Sequence, residues 1–115
     1  METSLPSTTP ADAELAELWR QHGEAPFPDS VKRNEIDGID LVYLDSATAG
    51  LVTSEVNHRG LDRQGVAMLH QCCAELDTVV PRITDPDARA YYERLRVIAR
   101  LVAARYVPEP EPEAV

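Results

Sequence analysis

The sequence predicts an all-α protein: a small antiparallel bundle of three longer helices with a short N-terminal helix packed across it, and a disordered tail at each end. Three observations carry this expectation. In the segments 61–80 and 86–107 apolar residues recur at alternating steps of three and four, the spacing that keeps one helix face against its neighbours. Leu, Val and Ala supply most of the apolar residues, with one Phe and one Trp in the chain, a composition suited to helices and poor for a strand-rich sandwich. At 115 residues, 43% of them apolar, the chain has material for a single core.

Residues 1–10 are polar and broken by Pro6 and Pro10, and are expected to be disordered. A single domain then spans 11–107. Its first helix, 11–22, places Leu15, Leu18 and Trp19 on one face and stops at Gly23. Pro26, Phe27 and Pro28 force an extended link, with Phe27 plugging one end of the core. The second helix is expected over 38–57, capped by Asp37 with Asp40 three residues on. Its apolar arc is Leu41, Leu44, Thr48, Leu51, Val52 and Val56, and strict alternation fails at Leu41-Val42, which disfavours a strand there.

The third helix, 61–80, has its seam at Val66, Leu69, Cys73, Leu76 and Val80. The fourth, 86–107, opens with Asp85 as cap and Pro86 in the first turn. Its seam is Ala88, Tyr92, Leu95, Ala99, Val102 and Tyr106. Short connections at 58–60 and 81–84 make neighbouring helices antiparallel. Residues 108–115 alternate proline with glutamate and bury nothing, so an extended, solvated acidic tail is expected.

Charge argues against nucleic acid as a partner. The net charge is −9, but the first thirty residues hold six acids against Arg20 and the tail holds three, leaving eleven acids and ten bases between Val31 and Tyr106. Neither the basic face of a nucleic-acid binder nor the rigid acidic face of a mimic is present. With no signal-like start and no run of about 18 apolar residues, a cytoplasmic chain off the membrane is expected. Arginine outnumbers lysine ten to one, a coding bias that suggests a bacterial source.

Candidates for chemistry are few. "LHQCCAELD" brings His70, Cys73 and Asp77 to one side of a helix, residue types a metal accepts, and His22 or His58 could complete a set. Paired ligand motifs such as CxxC are missing, and adjacent cysteines in a helix diverge too far for a disulfide. The cysteines therefore read as small apolar residues of the core. Asp37, Asp40 and Asp45 are explained by capping and by an ion pair from Asp45 to an arginine of another helix. No phosphate loop or nucleophile elbow occurs. No catalytic residue, metal or cofactor is expected.

Two features of the fourth helix point to binding instead. Arg89, Arg96 and Arg100 form a basic stripe with Glu93 among them, explicable as a solvated face paired through Arg89-Glu93 and Glu93-Arg96, or as a contact for an anion or acidic partner. A second apolar line, Ala90, Val97, Leu101 and Ala104, lies well away from the seam, where a monomeric bundle would place charges. The expected function is a non-enzymatic protein-interaction module, an adaptor or regulator that associates with itself or with another protein. The competing explanation is that the first helix covers this line within one chain.

Overall fold

Four helices in chain order, α1 (Pro10–Glu24), α2 (Leu41–Val56), α3 (Arg63–Val79) and α4 (Pro86–Ala103), make up the fold in the computed structural model, which describes residues 9–32 and 34–106. The protein is all-α, a small helical bundle. Among the described residues its one departure is a two-stranded antiparallel ribbon, β1 (Glu35–Ile36) with β2 (Ile39–Asp40). Most of the tails expected at 1–10 and 108–115 lies outside the described residues.

Each helix begins where a side chain satisfies a free backbone amide. Thr9 Oγ1 accepts from the Asp12 N–H (3.1 Å), with Pro10 in the first turn of α1. Asp40 accepts from Tyr43 (3.0 Å), Asp62 from Gly65 (2.7 Å) and Asp85 from Ala88 (2.9 Å). Thr9 and Pro10 thus belong to the fold and not to the tail. Helix α1 also runs past the expected stop at Gly23 to Glu24. Pro26 ends it, because the residue before a proline is pushed out of the helical region, and Ala25 is extended. At 15 residues α1 is nearly as long as the 16 of α2, so the short first helix is corrected as well.

The largest correction concerns residues 35–40. Asp37 does not cap a helix. With Gly38 it forms the two-residue turn of a hairpin, at φ 51° and 77°, with Glu35 opposite Asp40 and Ile36 opposite Ile39. Asp-Gly at positive φ is the favoured hairpin turn because its twist matches that of the strands. The cap role falls to Asp40, and α2 starts at Leu41. The expected arc of α2 holds: Leu41, Leu44, Thr48 and Val52 are buried, with Leu51 and Val56 half-buried at its edges.

Helix α3 is shorter at both ends than 61–80, since Asp62 caps it and a 3-10 turn, Val80–Arg82, takes over before Pro81. Helix α4 ends at Ala103 and continues as a 3-10 turn to Tyr106. Within α3 the seam keeps Leu69 and Leu76 but moves back by one residue at its other positions. Gly65, Leu69, Cys72, Leu76 and Val79 are buried, while Val66 and Cys73 sit at the flank; Val80 is also buried, in the 3-10 turn.

Helix α4 is the centre of the bundle, packing against α1, α2 and α3. Its seam residues Ala88, Tyr92, Leu95, Ala99 and Val102 are fully buried; Tyr106 is half-buried. Tyr91, Ile98 and Ala103 widen the buried arc toward its neighbours. Phe27 seals one end of the core as expected, edge-on to Tyr91 (5.5 Å) and to Tyr92 (6.5 Å). No helix among the described residues is long and apolar enough to cross a membrane.

Candidate functional site

Because three helices surround α4, the face it leaves open is narrow, and the second apolar line lies on it. Ala90 and Ala104 are exposed and Val97 is 38% exposed, directly opposite the seam at one residue per 100°. Leu101 is different. It is half-buried against the core, so one member of the line is covered within the chain. The three open members are spaced seven residues apart, with Arg94 and Arg105 along one border and Glu93 along the other.

The three arginines of the α4 stripe already share two acids. Arg89 pairs with Glu93 (3.2 Å), whereas Arg96 (3.8 Å) and Arg100 both reach Asp77 of α3. The expected Glu93-Arg96 pair is therefore replaced by a bridge between helices. An incoming anion would have to displace Asp77, so the geometry favours the solvated-face explanation of Arg89, Arg96 and Arg100.

The same bridge bears on His70, Cys73 and Asp77. Asp77 is engaged by two arginines and His70 is exposed. Burial raises the Cys73 thiol to about 11 and raises Cys72 in the same direction, which keeps both protonated and weakly nucleophilic. Among the described residues no group of three or more His, Cys, Asp or Glu side chains is placed to hold a metal.

Among the described residues Asp45 pairs with no arginine. Its carboxylate accepts the Tyr91 hydroxyl (3.0 and 3.1 Å) and lies 3.4 Å from His22 Nε2, tying α1, α2 and α4 together. Burial, then Asp45, pushes the Tyr91 hydroxyl above its ordinary value, so it is held as a donor. His22 is 7% exposed and packs its ring 4.3 Å from that of Tyr91. Sequence reasoning missed this cluster because its members are far apart in the chain and each is individually bland. A second tie joins the far end of the bundle, where Arg105 holds Asp12 and Glu55, and Tyr106 donates to Glu55 while accepting from the Leu61 N–H.

Two clefts were also invisible in the sequence. One, about 490 Å³, lies between the 25–30 loop and the N-terminal half of α4. The other, about 110 Å³, lies between α2 and α3 beneath Tyr43 (66% exposed) and Met68 (42% exposed). The chain matches no protein family, curated protein or solved structure.

Proposed function

We propose that the protein is a non-enzymatic interaction module that associates with a second copy of itself through the open face of α4. The supporting observation is the symmetric line Ala90, Val97, Ala104, exposed where a solvated helix would carry charges. An antiparallel two-fold pairing centred on Val97 sets Ala90 against the partner's Ala104 and Ala104 against the partner's Ala90. Seven-residue spacing of small side chains lets two helices approach closely at a shallow crossing angle. The pairing is isologous and closes on itself, giving a dimer and not a fibre. It also brings Glu93 toward the partner's Arg100, an attractive contact at the rim.

One helix face is a small interface, below the ~1,200 Å² of stable complexes, so the association is weak and concentration-dependent. Sedimentation velocity on a dilution series tests it. The expected result is a monomer–dimer equilibrium in the wild type that Val97→Glu abolishes without loss of helical circular dichroism. Val97 is the right position because Leu101 is half-buried and a charge there would disturb the core. A wild type that is monomeric at all concentrations sinks the reading; so does a dimer that survives Val97→Glu but is broken by Tyr43→Glu on the opposite flank.

A further inference from the structure

The cleft between the 25–30 loop and α4 has the size of a small-molecule site, about 490 Å³. Pro26, Phe27 and Tyr91 line its body. Arg94 and Asp87 line it from α4, seven residues and so about 10 Å apart along the helix. The acids around it are mostly engaged: Asp85 caps α4 and accepts the Ser30 hydroxyl (3.1 Å), and Asp29 holds Lys32 (2.7 Å).

Arg94 is not engaged in this way. Its Nε is buried and donates to nothing among the described residues, and its guanidinium sits 5.8 Å from the centre of the Tyr91 ring. A guanidinium N–H withdrawn from water without an acceptor is destabilising, and the planar fork is matched by a carboxylate. We propose that this cleft binds a small organic acid: one carboxylate on Arg94, carried by an aromatic or branched apolar body that lies against Phe27 and Tyr91.

The opposite end of the cleft restricts the ligand further. Asp85 and Asp87 repel a second negative charge and accept an amino group, which excludes dicarboxylates and polyphosphates and admits zwitterions. The cleft shares Ala90 with the paired line, so the titration is run at a protein concentration where the wild type is monomeric, and ligand binding is then read apart from self-association.

The test is an amide-shift titration of the ¹⁵N-labelled full chain with 3-phenylpropionate, run beside its uncharged amide and beside phenylsuccinate, which carries a second carboxylate. The acid is expected to bind in the millimolar range, as fits so small a ligand, with saturable shifts at Phe27, Ala90, Tyr91 and Arg94. The amide and the dianion should bind about tenfold more weakly or worse, as loss of a charge-assisted pair implies. Arg94→Gln should weaken the acid alone by a similar factor, while Arg89→Gln, on another face of the helix and paired with Glu93, leaves it unchanged. Equal binding of acid and amide, or no saturable shift with the acid, overturns the proposal using the wild type alone.

Discussion

Tyr92 shows how much a single atom contributes here. Its ring is fully buried and its hydroxyl donates 2.6 Å to the Leu41 carbonyl, at the first turn of α2. Tyr92→Phe keeps the ring but removes this buried hydrogen bond, and is expected to cost about 1 kcal/mol, read as a melting temperature lower by roughly 4–8 °C per kcal/mol. The cysteines invert the expectation from sequence. Cys72 is 5% exposed and Cys73 lies at the flank, so Cys72→Ala, which leaves a void in the seam, should destabilise more than Cys73→Ala in urea melts. Glu55 makes the stability depend on pH. Burial opposes its charge, but donation from Tyr106 and Arg105 outweighs it and holds the carboxyl below its ordinary 4.5. A depressed folded value means that the unfolded chain binds more protons in that range. The stabilisation is therefore complete above 4.5 and lost as pH falls through the depressed value. Glu55→Gln should be less stable than wild type by about 1 kcal/mol at pH 7, with the gap closing as pH falls through the depressed value in thermal melts at a series of pH values.

At the scale of elements, Asp40 separates the hairpin from the helix, and a single change there tests both. Asp40→Ala removes the acceptor for the Tyr43 N–H and should cost about 1 kcal/mol, with faster hydrogen exchange at Tyr43. Asp37→Ala leaves that amide protected, since Asp37 lies in the turn. The helices were legible in the sequence because caps and 3-4 periodicity are local signals: Asp85-Pro86 marked the start of α4 to the residue. The hairpin was not, because Asp-Gly before an apolar run serves equally as a helix start and as a reversal. Only pairing of Ile36 with Ile39 decides between them. The shift of the α3 seam from Cys73 to Cys72 has a similar cause. Cys72 and Cys73 are alike in hydrophobicity, and the choice between them is made by how α3 sits against its neighbours, which periodicity does not encode. Candidate sites fared worse than elements for the same reason. Arg96 and Arg100 are a stripe in sequence, yet Asp77 on another helix determines their availability.

For the whole molecule, the organising fact is that the last helix is the central one, packed on the other three. Its large apolar circumference is thus mostly explained within one chain, and only the strip from Ala90 to Ala104 is left for a partner. Unfolding should be a single cooperative step, because no pair of helices can separate without exposing α4. Coincident urea transitions by circular dichroism and by Trp19 fluorescence would bear this out, and an early fluorescence change would show that α1 detaches first. The clasp of Arg105 on Asp12 and Glu55 has a further consequence. It brings the start of α1 and the turn after α4 to the same pole, so the two ends of the described fold are spatial neighbours. A donor and an acceptor dye at the exposed positions Ala11 and Ala104 should therefore transfer energy with high efficiency in the native protein. That signal reports the docking of α1. The same adjacency makes the chain suited to circular permutation: a short flexible linker across that pole, with new termini opened at the exposed Asp37-Gly38 turn, should preserve every helix and its neighbours.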